Sequence, residues 1–302
     1  MLGEKLKGYA LGCIASVSYG LNPLFALPLY ATGLRVDSVL FYRYAFAVAM
    51  MAVMMRLNGK SFALKRNEVL PLVVMGLLFS FSSLFLFQSF NYMDAGIAST
   101  ILFVYPVMVA LIMAVFFRER LSVAKMSAIA MAVVGIAMLY KGEDGVSLSL
   151  TGVMYVLASS LVYALYIVGV NHSVLKTMSG LKLTFYAILF GMSVYVVRLH
   201  GCADLQPLVG TSQWLNALGL ALFPTLLSLV AITKSIHHIG ATAAAILGAL
   251  EPVTALFVGM LVFGERLTGG NVVGILLILT AVTLIVVGHK GWMKLKAACR
   301  RR

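Results

Sequence analysis

Ser89 to Met138 can be laid on Ser235 to Leu284 without a gap, at a constant offset of 146 residues. Pro106 then falls on Pro252, Phe117 on Phe263, and Glu119-Arg120-Leu121 on Glu265-Arg266-Leu267. A weaker match upstream aligns Phe41-Tyr42 with Phe185-Tyr186 at an offset of 144. The chain is therefore built from two related halves, and any fold it adopts must make the same unit twice. Repeated halves in a membrane are a common way to build a transporter.

Both halves are strongly apolar. Hydrophobic residues make up 62% of the chain and charged residues 11%. Mean hydropathy is +1.01. A soluble domain of this length could not be so apolar, because its surface must meet water. Runs without Asp, Glu, Lys or Arg cover Gly8 to Leu34, Val69 to Met93, Ala95 to Phe117, Val146 to Leu175, Leu205 to Thr233 and Leu267 to His289. About 20 such residues cross a bilayer as a helix. These patterns predict an all-α integral membrane protein. Its ten transmembrane helices are expected near 8–32, 36–56, 69–91, 95–117, 121–140, 149–170, 181–199, 213–235, 240–263 and 268–289. The first run is longer than the apolar core of a signal peptide and is read as a span.

Charge then sets the orientation. Eighteen Lys and Arg fall on the side that holds both termini, four on the other, and Arg43 lies within the second span. The positive-inside rule predicts cytoplasmic termini in the cell (inner or plasma) membrane. Five spans per half is an odd number, so the second half is inverted relative to the first. The expected division is 1–143 and 144–290, each a five-helix repeat, with 291–302 as a basic cytoplasmic tail beside anionic lipid. Because the excess charge of +13 sits beside spans, it does not call for nucleic acid. Cys13, Cys202 and Cys299 are isolated, which fits neither a disulfide framework nor a zinc site. No metal or cofactor is expected.

This ordered set resembles the EamA type of the drug/metabolite transporter superfamily. The family carries a Pro in the fourth span of each repeat and a Glu at its end; here these are Pro106 with Glu119 and Pro252 with Glu265. Leu250-Glu251-Pro252 resembles a frequent form of the second copy. Arg43 resembles an Arg often found in the second span, and Tyr19-Gly20 stands where Trp-Gly is common. The resemblance covers about residues 8–288. It implies a secondary transporter, often an exporter of amino acids or other small metabolites. Glu119, Arg120, Glu265 and Arg266 are implied as structural motif positions.

Glu251 is expected near the middle of span nine, where a charge is expensive. It either faces a cavity and binds a substrate amine or a proton, or it is a structural carboxyl. Arg43 could hold a substrate carboxylate with its planar fork, or pair with a carbonyl, or snorkel. Asn22 and Pro23 break span one, and the break either offers carbonyls to a ligand or is a plain kink. Pro106 and Pro252 have the same two readings, with a hinge preferred. The resemblance places Tyr19, Tyr42, Tyr105, Tyr163, Tyr166 and Tyr186 in spans around the cavity, where each could meet ligand or pack in the core. Gln88, Asn91 and Asn171 could bind ligand but are read first as glue between helices. Lys234, His237 and His238 read as an interfacial cationic cap or a proton relay. The small residues of spans four and nine are expected to pair tightly. Gly270 and Gly274 form a GxxxG that serves either internal packing or a dimer.

Other classes fit less well. Gly59-Lys60-Ser61 resembles the end of a phosphate loop, but Met54 stands where the earlier Gly belongs. GxSxG and HExxH are absent, so an enzyme is a remote alternative. The expected partners are a small-molecule substrate and the bilayer, with coupling to a proton or counter-substrate and the choice of monomer or homodimer left open. A sugar-nucleotide or phosphate exchanger and a facilitative channel remain the nearer alternatives.

Overall fold

The computed structural model describes residues 2–119, 122–140 and 148–299. Arg120 and the final arginines of the tail lie outside them. All regular elements are helical. Ten helices among the described residues are long and apolar enough to cross a membrane. Ten crossings put both termini on one face, called here the terminal face; the opposite one is the far face.

Span one is two helices, α1 (Leu2–Gly20) and α2 (Asn22–Ala31). Spans two and three are α3 (Val36–Leu57) and α4 (Arg66–Ser89). Span four is again divided, into α5 (Ala95–Leu102) and α6 (Tyr105–Phe116). Spans five, six and seven are α7 (Val123–Tyr140), α8 (Leu150–Asn171) and α9 (Gly180–Arg198). Span eight runs through α10 (Thr211–Ala221), a π-helical segment at Leu222–Leu227, and α11 (Ser228–Ile239). Span nine is α12 (Ala241–Leu247) and α13 (Leu250–Phe263), and span ten opens α14 (Gly269–Cys299).

Most boundaries fall within a few residues of the sequence expectation, and the larger differences have local causes. Helix α1 begins at Leu2 rather than residue 8, so it includes the charged Glu4, Lys5 and Lys7 ahead of the apolar run. Span three starts at Arg66 because Glu68 turns back and accepts a 2.9 Å hydrogen bond from Lys65 N. Span eight continues to Ile239 rather than residue 235, and stops where Gly240 takes a φ of 80° that other residues rarely adopt.

Each divided span holds a proline whose missing N–H frees the carbonyl four residues earlier. The fold meets all four of these carbonyls. Asn22 Nδ2 donates to Tyr19 O at 2.8 Å, ahead of Pro23. Ser160 Oγ donates to Leu102 O at 3.2 Å, ahead of Pro106. Thr225 Oγ1 donates to Leu220 O at 3.2 Å, ahead of Pro224. Glu251 N donates to Gly248 O at 2.9 Å, ahead of Pro252. At each break the carbonyl that the proline frees thus has a substitute donor. Removing the Ser160 hydroxyl should cost about 1 kcal/mol. Pro106→Ala restores an N–H to Leu102 O, so Ser160→Ala should cost much less in that background. Thermal unfolding of the four proteins of this cycle checks it.

Glycine sets the closest helix crossings. Spans five and ten pack along Gly135 and Gly274, where a Cβ on either would press on the other's carbonyl. Gly274 is therefore used inside the protomer. Gly76 and Gly191 bring spans three and seven together in the same way. The far ends of spans four and nine also meet, with Gly96 against the backbone of Leu256.

That last contact pairs spans four and nine, as expected, and shows which halves meet. Ala95 and Gly96 pack on α13, not on the small-residue stretch of α12. Inversion is the reason: the first half of span four runs beside the second half of span nine. The equivalent pair on the terminal face, α6 and α12, makes no comparable packing among the described residues.

Candidate functional site

A cavity of about 410 Å³ lies between the two halves. Its polar centre is formed by Tyr19 on α1, Arg43 on α3, Tyr105 on α6, Tyr163 on α8 and Glu251 on α13. Its walls continue toward the terminal face through Ile167, Ile236 and Ala244, and the α5–α13 contact closes it on the far side. The repeat shapes this chamber. Ser82 and Ser228, Leu86 and Ile232, Leu102 and Gly248, and Tyr105 and Glu251 all line it, and each pair is 146 residues apart. One half thus presents a phenol where the other presents a carboxyl.

Arg43 is 3% exposed. Its Nε donates to Thr225 Oγ1 at 3.0 Å, and its guanidinium carbon lies 5.1 Å from the centre of the Phe87 ring. These contacts anchor the side chain and leave its terminal nitrogens on the cavity. Thr225 can reach it because Pro224 opens the helix into its π-helical turn. Proline inside a long apolar run is the sequence signal for this segment, as it is at Pro23, Pro106 and Pro252. Tyr19 lines the same cavity as Arg43 and Glu251.

Glu251 lies in the first turn of α13. It retains partial exposure, and that surface faces the cavity. A Cβ on Gly20 would meet the Glu251 carbonyl and Thr254, so glycine lets the break of span one rest on the break of span nine. Tyr105 and Tyr163 meet edge to face at 4.8 Å, and Phe79 extends the aromatic wall. The chamber can therefore offer an acceptor, a donor fork and an apolar cage to one small molecule.

Five expected cavity residues do not line this chamber. Asn22 caps Tyr19 O. Tyr166 stacks behind Tyr163 at 5.9 Å. Gln88 lies farther along α4, beyond the cavity wall. Tyr42 donates to Gln206 O at 2.9 Å on the far face, and Tyr186 donates to Phe62 O on the terminal face. These last two bonds are repeat partners, since 42 and 186, and likewise 62 and 206, differ by 144. Each tyrosine holds a loop belonging to the other half. Tyr42 is turned about 100° round α3 from Arg43, the next residue, which lines the chamber, so the face of the helix decides which of the two reaches it.

Gln206 was missed because it belongs to a polar loop without a motif. Its side chain accepts from Arg35 N at 2.6 Å and donates to Gly33 O at 3.0 Å. Its N–H donates to Ser38 Oγ at 3.2 Å. Nearby, Arg198 clasps Asp37 with bonds of 2.6 and 3.0 Å. These contacts close the far face around spans one, two and seven. At the terminal face His238 Nδ1 lies 2.9 Å from Glu4 Oε2, which ties spans one and eight. Asn171 bonds within its own helix, to Ile167 O at 2.8 Å. No group of three metal-ligating side chains occurs among the described residues.

At the far end of span nine the Glu265 carboxylate accepts from Ala95 N at 2.9 Å and Gly96 N at 3.3 Å. Burial raises the pKa of Glu265, the nearby Asp94 charge raises it further, and the two N–H groups oppose both. Burial also raises Asp94. A carboxyl whose pKa rises on folding favours the folded state below its unfolded value, near 4, and loses that advantage as pH climbs through the folded value. Asp94 makes no side-chain cap to α5. Asp94→Asn should therefore raise the melting temperature at pH 7.5 and change it little at pH 4. Equal shifts at both pH values would disprove the coupling.

Ten membrane-length helices around one chamber are the architecture of a polytopic membrane protein. The EamA-like transporter family matches the chain twice, at residues 6–141 and 150–287, and the chain belongs to that family. It is similar to the uncharacterized transporter YcbK of Bacillus subtilis (strain 168), with 24% identity over 90% of each chain. It is also similar to the uncharacterized transporter YxxF of the same organism, with 25% identity over 75% of this chain and 72% of the other. The uncharacterized transporter sll1319 of Synechocystis is 29% identical over 66% of this chain and 61% of its own. One solved crystal structure superposes with a TM-score of 0.64 over 92% of this chain and 95% of the other. At 16% identity that likeness shows the fold alone. Family and relatives make this protein a membrane transporter.

Proposed function

We propose that the protein is a secondary carrier that moves small zwitterionic metabolites, amino acids first among them, by alternating access. The observation that carries this reading is the pairing of Glu251 with Arg43 in one aromatic-walled chamber. An amino acid presents an amine to the first, a carboxylate to the second, and an apolar side chain to Tyr105, Tyr163 and Phe79. Phosphate-bearing solutes fit less well, because Arg43 is the one cationic side chain among the residues lining the chamber. The Lys and Arg bias supports taking the terminal face as cytoplasmic. On that reading the chamber is open toward the cytoplasm, as an exporter requires for loading. The division into 1–143 and 144–290 supplies the two bodies that rock.

Counterflow in proteoliposomes tests the proposal. Vesicles loaded with an unlabelled amino acid should accumulate the labelled one transiently. Non-saturable flux without counterflow would indicate a channel, and the absence of flux across an amino-acid panel would remove the substrate class.

A further inference from the structure

Four serines line the chamber: Ser16, Ser82, Ser83 and Ser228. A serine hydroxyl within a helix commonly donates to a backbone carbonyl, its own or a neighbour's. Two of the four do so. Ser16 donates to Gly12 O at 3.0 Å, and Ser82 donates to Ser159 O at 3.1 Å. The other two keep a free proton. Ser83 Oγ accepts from Tyr44 OH at 3.0 Å, and its own proton meets no acceptor among the described residues. Ser228 Oγ has no partner among the described residues and opens on the chamber. Both serines are buried from the outer surface.

The two free hydroxyls flank one place. Arg43 rests its guanidinium on Phe87 of α4 and gives its Nε to Thr225 of span eight. Ser83 is four residues before Phe87, and Ser228 is three after Thr225. Each therefore stands one turn from a contact of the arginine, on the same side of its helix. Span three runs toward the far face and span eight runs away from it, so both steps lead toward the terminal face. That is the side to which the chamber extends from Arg43. Ser83 comes from the first half and Ser228 from the second.

A carboxylate has about four lone-pair sites, and a guanidinium fork fills two of them. In a chamber with apolar walls the remaining two would be costly to leave without donors. We propose that Ser83 and Ser228 are specificity-determining residues that complete the seat of the solute's carboxylate on either side of the Arg43 fork. Tyr44 is a positioning residue: its phenol occupies a lone pair of Ser83 Oγ and so turns the serine proton to the chamber. This rests on the zwitterion reading above and adds which protein groups meet the carboxylate end.

Competition against labelled leucine in the counterflow assay tests the seat. The competitors are leucine, N-acetyl-leucine, which keeps the carboxylate without the charged amine, and leucinamide, which keeps the amine without the carboxylate. Ser83→Ala and Ser228→Ala should each raise the half-inhibitory concentrations of the two acids about tenfold, the effect of one hydrogen bond lost to a charged group. Leucinamide should inhibit as before. Ser83→Thr and Ser228→Thr keep the hydroxyl and should stay close to the parent. Tyr44→Phe should weaken both acids by a smaller factor, because Ser83 can then turn to its own helix. Parental inhibition by the acids in both alanine variants, or equal shifts for acids and amide, overturns the proposal while leucine counterflow keeps the zwitterion reading. If the parent carries no leucine, protection from thermal unfolding by N-acetyl-leucine decides. Protection that both alanine variants lose keeps the carboxylate seat and removes the zwitterion reading. No protection of the parent removes both.

Discussion

Replacing Glu251 by Gln should reduce counterflow by roughly 30-fold or more while leaving expression and melting temperature close to those of the parent. The magnitude follows from losing a hydrogen bond to a charged partner in a site shielded from water, about 2–3 kcal/mol. Stability should change little because Glu251 has no side-chain hydrogen bond among the described residues and faces the chamber. The backbone bond that caps Gly248 does not depend on its side chain. Tyr105→Phe, on the aligned position of the other half, should have a much smaller effect, since it removes a neutral hydroxyl. Wild-type counterflow in Glu251→Gln would show that the carboxyl is structural.

The second large effect concerns folding. Gly191→Val should lower stability by about 3 kcal/mol or prevent recovery of folded protein. A Cβ at Gly191 would collide with Ser80 Oγ and with the Gly76 carbonyl. The hydroxyl can rotate away, but the carbonyl belongs to a helix and cannot. Separating two packed helices to admit the side chain costs on the order of 1–3 kcal/mol or more, and the surrounding contacts are tight. Tyr195 OH donates to Ser80 O at 3.0 Å in the same layer, so that bond would be strained as well. Gly33→Val, at a site with open space around it, is the comparison for general effects of added bulk. That site has a φ of 86°, so its cost comes from backbone strain alone. Circular dichroism and size-exclusion recovery would separate the two cases. A Gly191→Val protein that melts with the parent would contradict the packing.

Spans and breaks were legible in the sequence to different degrees. Ten crossings follow from apolar length and from the repeat, because both reflect the same requirement that backbone groups in lipid bond internally. Glu251 was legible as a candidate from its place near the centre of a span, and Tyr105 only through the family resemblance; the structure brings both to one cavity. Tyr42 and Tyr186 were visible as repeat partners, but the alignment said only that they were equivalent. The face of the helix decides their role: Arg43, the residue after Tyr42, is turned into the chamber, while Tyr42 meets a loop of the other half. Gln206 could not be found, because a loop's hydrogen bonds depend on the path of the chain and leave no periodic trace. The difference between Glu119 and Glu265 was likewise hidden: two copies of one motif hold different partners, Lys125 Nζ for the first and the Ala95 and Gly96 N–H groups for the second.

The capped breaks have a consequence for how such a molecule bends. A straight helix must give up main-chain bonds to flex, and in hydrocarbon each loss is costly. Here Tyr19, Leu102, Leu220 and Gly248 have already surrendered theirs and found substitutes. A rod jointed in this way can articulate without opening its ladder on either side. The resistance to movement then resides in the faces that slide past one another, so substitutions in those faces should tune the speed of the cycle more than substitutions at the prolines.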